Sequence, residues 1–153
     1  MIMKLSALFR PDLGSGISST SVVVRPSGGR TRAKWVGLAS LLATSGLAHF
    51  LRPSFFDKIV PESLPGSQRM WTLVSGGAEL AAALTVAVPR TRRRGSMLAG
   101  LIFLAVWPAN FKMACDWRER PPLQRWLAYG RLPLQLPLLG LARQVWTSAP
   151  QST

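Results

Sequence analysis

Cysteine occurs once in this sequence, at Cys115, so no disulfide can form within the chain and no Cys-x-x-Cys redox pair exists. Thiol–disulfide exchange by this chain alone is excluded, and the lone thiol reads as a passive small residue rather than a nucleophile. Histidine also occurs once, at His49, and the carboxylates are isolated, so no metal-ligand set is expected and two-histidine ligation of a haem is impossible. Acids are scarce: 6 Asp+Glu stand against 19 Lys+Arg, a formal net charge of +13. Charged residues make up only 16% of the chain, well below the roughly 25% of soluble domains. High basicity often signals nucleic acid. Here the bases fall between apolar runs instead of along one face, which suits membrane topology and sets nucleic acid aside as a partner.

With polar residues this sparse, the apolar runs carry the reading. Trp71 to Pro89 holds a single ionisable side chain, Glu79, near its middle. As a helix it covers about 28 Å, close to the ~30 Å hydrocarbon thickness of a bilayer. A soluble core helix of that length shows a polar face, and this run shows almost none. A membrane-spanning helix with a carboxylic acid at mid-depth is expected. A charge there costs about 2.5–3.5 kcal/mol on insertion scales, so Glu79 needs partners or a purpose.

Three more spans are expected around it. Trp35 to Leu51 has no Asp, Glu, Lys or Arg; Ser40, Thr44 and Ala48 recur every fourth residue and form a small face for close packing. Gly77 and Ala81 are expected to do the same for the central span. Gly95 to Phe111 is a third span, with Pro108 and Asn110 at its far end. A weaker fourth runs from Arg131 to about Ser148, with Pro133, Gln135, Pro137 and Arg143. Between them, residues 53–69 contain an amphipathic turn around Phe55, Phe56, Ile59 and Val60, and residues 112–130 form a mixed-charge loop with Trp117, Trp126 and Tyr129. Before the first span lies a Ser-, Gly- and Arg-rich segment, residues 1–34, read as a disordered basic tail. Residues 149–153 are a short polar end. The fold class is therefore all-α: a polytopic membrane protein with a four-transmembrane-helix bundle over residues 35–148.

Basic residues set the orientation. The tail holds six bases (Lys4, Arg10, Arg25, Arg30, Arg32, Lys34) against one acid, Asp12, and the Arg90–Arg94 turn holds four with no acid beside it, whereas the two opposite loops mix three and four bases with two acids each, Asp57 and Glu62, and Asp116 and Glu119. Both termini are expected in the cytoplasm. On that register His49, Asn110, Arg131 and Gln135 fall at the outer ends of their helices, with Glu79 about 13 Å below the outer end of its own. Arg131 is expected to reach down and offset the desolvation of Glu79, with His49 as a proton donor or acceptor beside it. A purely structural role is the alternative for each, for Glu79 as a neutral hydrogen-bonded acid tying helices together.

The residues that carry these features also bear a resemblance. Gly46-Leu47-Ala48-His49-Phe50, Pro53 with Phe55-Phe56, Pro61 with Leu64-Pro65, Ser75-Gly76 with Glu79-Leu80, Pro89-Arg90-Thr91-Arg92, Pro108-Ala109-Asn110 and Arg131-Leu132-Pro133-Leu134-Gln135 resemble, in order and spacing, the DoxX family of small bacterial membrane proteins. The resemblance runs from about Lys34 to Trp146. It implies a four-helix membrane bundle in the bacterial inner membrane, and association with complexes that handle oxidative and thiol stress.

The first functional expectation is a non-catalytic accessory or anchoring subunit of a membrane redox complex, with the bilayer and other subunits as partners. The second is a site for a lipid-soluble ligand, a quinone being the candidate cofactor, formed by His49, Glu79, Asn110, Arg131 and Gln135. The third is proton or solute passage through the same cluster. No catalytic residue is assigned.

Overall fold

Five helices make up the described part of the chain, residues 28–150 of a computed structural model: α1 (Gly28–Leu51), α2 (Pro53–Asp57), α3 (Gln68–Ala87), α4 (Arg92–Asp116) and α5 (Pro122–Ser148). Residues 1–27 of the expected basic tail and 151–153 of the C-terminal end lie outside the described residues. No strand occurs among the described residues. Two helices, α3 and α4, are long and apolar enough to cross a membrane.

Local chemistry explains the helix limits. Pro53 and Pro122 open α2 and α5 at positions where a missing N–H costs nothing. Ser67 caps α3 by accepting from the Met70 N–H at 3.1 Å. Ahead of that cap, Gly66 takes φ of 89°, a left-handed turn that favours glycine. Val88-Pro89 ends α3, because Pro89 cannot continue the ladder.

Two of these limits correct the reading from apolar runs. The first helix begins at Gly28, so residues 28–34, expected in the tail, form its opening turns. The last begins at Pro122, so residues 122–130, expected as loop, are helical. The reason is the same in both places. Arg, Lys, Ala, Leu and Gln are good helix formers whatever their polarity, so an apolar run marks the buried or lipid-facing part of a helix and not its ends.

Helix α1 packs on α3, α3 on α4 and α4 on α5, and a thinner seam between α5 and α1 closes the ring. The α3–α4 and α4–α5 connections, residues 88–91 and 117–121, are short, which makes those neighbours antiparallel, whereas α1 and α3 are joined by residues 52–67, which include α2. The α1–α3 crossing is made by Gly46 and Gly76. A Cβ on Gly76 would lie 2.8 Å from the His49 Cβ and 3.1 Å from the Gly46 carbonyl oxygen. The small faces expected from spacing are elsewhere: Ser40 and Thr44 are exposed, and Gly77 and Ala81 also face outward. Four-residue spacing of small side chains occurs on several faces of each helix. Burial of Leu38, Leu42, Thr72 and Val86 selects which one turns inward.

The interior has two apolar clusters. One contains Leu38, Leu42, Ala82, Val86, Ile102, Phe103, Ala142 and Val145. The other contains Ile59, Met113, Ala114 and Ala128. Along α4 and α5 the buried amides Asn110 and Gln135 fall between the two.

The end of the bundle that carries the arginine turn is closed by specific contacts. Arg92 Nε donates to the Val86 carbonyl at 2.9 Å and Nη2 to the Ala87 carbonyl at 3.0 Å, capping α3, while its guanidinium lies 4.1 Å over the Trp35 ring. Arg93 lies 4.5 Å over Trp146. Arg92→Ala is expected to lower stability by about 1–2 kcal/mol, from two lost carbonyl caps and one cation–π contact. Arg90→Ala, at an exposed position, is expected to change it by no more than about 0.5 kcal/mol. Thermal unfolding in detergent followed by circular dichroism checks both.

At the opposite end Arg69 holds the last residue of α2, Asp57, against α3. Its Nε and Nη2 donate to Asp57 Oδ2 at 2.9 and 2.8 Å. That hydrogen bond keeps the Asp57 carboxyl below the ordinary carboxylate range, so the pair stays ionised at neutral pH.

Candidate functional site

Each long helix contributes a buried polar side chain to the interior: His49 from α1, Thr72 and Glu79 from α3, Asn110 from α4 and Gln135 from α5. Apolar periodicity turns these helix faces inward and brings the polar residues with them. Glu79 is 7% exposed, Asn110 5% and Gln135 4%, so none of them is solvated by water at a helix end.

His49 is the ionisable neighbour of Glu79. Its Nδ1 lies 3.4 Å from Glu79 Oε2 and 2.8 Å from the Ser45 carbonyl oxygen, one helical turn back. The shorter contact identifies Nδ1 as the protonated nitrogen, donating to the carbonyl. Phe56 of α2 stacks on the imidazole, with ring centroids 3.8 Å apart and planes inclined by 23°. Phe55 packs edge-on to Phe56 at 5.4 Å and to Trp117 at 6.3 Å, so the short helix after Arg52 roofs the histidine with aromatic rings.

Asn110 and Gln135 form a second pair. Asn110 Nδ2 lies 3.4 Å from Gln135 Oε1, and Gln135 Nε2 donates to the Phe103 carbonyl. Phe103 is one residue before Leu104, whose carbonyl Pro108 leaves without its usual helical donor. A side chain of α5 thus bonds the α4 backbone in the turn that the proline disturbs, as expected where irregular helix is buried in protein.

Arg131 departs from expectation in two ways. It stands about two and a half helical turns inside α5 and not at its outer end, because α5 begins at Pro122. It also makes no ion pair with Glu79; its one hydrogen-bond partner among the described residues is Met113 Sδ, at 3.6 Å. Asn110, likewise placed at a helix end by its sequence, lies well inside α4, which continues to Asp116.

Two adjoining cavities join these groups. The first, about 180 Å³, is walled by Ser45, Glu79, Asn110, Arg131 and Gln135 together with apolar residues of α1, α4 and α5. The second, about 110 Å³, is walled by His49, Phe56, Thr72, Ser75, Glu79, Asn110 and Arg131. Ser45, Glu79, Val106, Asn110 and Arg131 belong to both. Glu79 Oε2 and Thr72 Oγ1 are fully buried and have no hydrogen-bond partner among the described residues. The arrangement offers a carboxylate, a guanidinium and an amide to whatever occupies the junction.

Sequence reasoning did not name Ser45, Phe56, Thr72 or Met113 as parts of the site. Ser45 was accessible, since it stands four residues before His49 and shares its face. Thr72 was not, because nothing in its neighbourhood distinguishes it from other hydroxyl residues. No group of three or more His, Cys, Asp or Glu converges as a metal site among the described residues.

A family model described as Domain of unknown function (DUF8561) matches residues 38–146. No curated protein and no solved structure matches the chain.

Proposed function

The chain belongs to this family of unknown function, and from its interior we propose that it is an integral membrane protein binding a small lipid-soluble molecule at the Glu79–Arg131 cavity. The setting is a DoxX-like bundle of four spans in the bacterial inner membrane, with both termini and the arginine turn in the cytoplasm. All four long helices turn large apolar side chains outward: Leu47 of α1 is 51% exposed, Leu84 of α3 70%, Leu101 of α4 61% and Leu136 of α5 62%. A continuous apolar girdle of this kind suits hydrocarbon, not water. The asymmetry of basic residues between the two ends supports the orientation.

One observation carries the ligand reading. Among the described residues Glu79 Oε2 and the Thr72 hydroxyl are buried and make no hydrogen bond, the carboxylate having only its 3.4 Å contact with His49, and the Arg131 guanidinium bonds only a thioether. Each unmade hydrogen bond in an apolar interior costs a few kcal/mol. A bundle that only anchors other proteins gains nothing by keeping them; a ligand or its accompanying water completes them. Single-ring quinones, in their hydroquinone form, are within the class that such a site serves.

An accessory role in a membrane redox complex is the second reading. It is favoured by the opening turns of α5, where Leu123, Trp126 and Leu127 are 74%, 72% and 53% exposed, an apolar face that a neighbouring subunit would cover. The two roles are compatible in a subunit that presents a bound molecule to a partner.

The test is extraction of the purified protein with organic solvent and identification of the released molecules by mass spectrometry. A neutral, lipid-soluble molecule in stoichiometric amount is expected from the wild type, and several-fold less from Glu79→Gln. Equal ordinary membrane lipid from both, with no enriched species, would leave anchoring as the function.

A further inference from the structure

The cavity's shape and charge specify more than the existence of a ligand. Resting on the reading above, we infer that the occupant is an amphiphile with an uncharged head no larger than one six-membered ring, both donating and accepting a hydrogen bond, whose apolar tail leaves between α1 and α5.

Size comes first. The larger cavity is about 180 Å³, and an apolar cavity of about 150 Å³ accommodates benzene. A single ring, or an aliphatic head of that bulk, fits; two fused rings with substituents do not.

Charge comes next. Arg131 is protonated at any physiological pH, and Glu79 is the acid that shares both cavities with it. With Glu79 taken as the ionised counter-charge of Arg131, the two balance. A carboxylate head drawn to Arg131 would meet Glu79, and an ammonium head drawn to Glu79 would meet Arg131, so either leaves one excess charge inside the bundle. An uncharged head leaves the balance intact. The donor and acceptor requirement follows from the walls. As an ionised group Glu79 accepts only, and the guanidinium donates only. A hydroxyl or phenol satisfies both; an ether or ester satisfies one, and a hydrocarbon neither.

The exit is set by packing. The seam between α1 and α5 is the thinnest in the ring. Leu41 of α1 and Leu134 of α5 both line the cavity, yet are 41% and 57% exposed on the outer surface. A wall residue that is also on the surface marks an opening, and this one faces the apolar girdle. Toward the other end the Phe56–His49 stack roofs the smaller cavity.

The experiment measures binding of four probes to the protein in lipid nanodiscs, corrected for partition into empty nanodiscs: 4-octylphenol, 4-octylanisole, octylbenzene and 4-octylbenzoate. Wild type, Glu79→Gln and Leu134→Trp are compared; the last replaces a largely exposed residue and is compatible with folding. The phenol is expected to bind about tenfold tighter than the anisole. Glu79→Gln should reduce that ratio to a few-fold, and Leu134→Trp should weaken every probe. Equal affinity for phenol and anisole, tightest binding of the benzoate, or no effect of Leu134→Trp would each overturn the ligand class or its route, while leaving a ligand-binding cavity in place. Absence of all binding, together with no enriched molecule in the solvent extract, would remove the cavity's binding role and this inference with it.

Discussion

Gly95→Ala is expected to splay the α3–α4 hairpin, with a loss of about 3 kcal/mol in stability. A Cβ built on Gly95 lies 2.5 Å from the Val86 amide nitrogen, 2.6 Å from Thr85 Oγ1 and 2.7 Å from the Thr85 carbonyl carbon. Two of these atoms are backbone and have no rotamer to adopt. The turn is also held in place from the other side. Thr91 Oγ1 donates to the Thr85 carbonyl at 2.9 Å, and Arg92 bonds the two carbonyls that follow. The helices must therefore separate, and Val86, in the centre of the larger apolar cluster, moves with them. Gly77→Ala and Gly100→Ala are the controls. Nothing lies within 4 Å of a Cβ at either position, so stability should be unchanged or raised by up to about 1 kcal/mol. Denaturant or thermal unfolding in detergent separates the three variants. Wild-type stability in Gly95→Ala would mean that the hairpin is not packed as described.

The same glycines show how far the sequence was legible. The two most apolar runs, Trp71–Pro89 and Gly95–Phe111, correspond to α3 and α4, because length and the absence of charge are one-dimensional properties. Which small residues face inward is not. Gly76 and Gly77 are adjacent, and Gly76 packs against α1 while Gly77 faces outward. Only the partner helix decides between them, and an isolated sequence does not show the partner.

Site geometry was legible in the same partial way. Buried depth singled out Glu79 because an acid in the middle of an apolar helix demands compensation. The identity of the compensating neighbour depended on where helices end. Taking the limits of apolar runs as helix ends put Arg131 at a boundary, ready to reach inward. With nine residues of α5 ahead of it, Arg131 is already inside, and its guanidinium turns to Met113. His49, two residues from the end of α1, is the group that touches Glu79. The missing information was the helical state of residues 122–130, where a run of polar and aromatic side chains conceals continuous backbone.

The charges at Glu79 and Arg131 are expected to depend on each other although the two side chains do not bond. Both line the same two cavities, and few polar groups separate them there. Glu79→Gln leaves the guanidinium without its counter-charge, and Arg131→Gln leaves the carboxylate beside His49 alone. Each single change should cost about 3 kcal/mol, the scale of an uncompensated buried charge. The double variant keeps two uncharged amides of similar size, and it should recover most of that loss. A coupling energy of at least about 1 kcal/mol is the expected reading of the cycle. His49→Gln in the double background then separates the histidine, because without a carboxylate its substitution should cost no more than the lost stacking on Phe56 and the lost hydrogen bond to the Ser45 carbonyl. Additive losses, with the double variant as unstable as the sum of the singles, would mean that each charge is compensated locally and that the cavity between them is not an electrostatic unit.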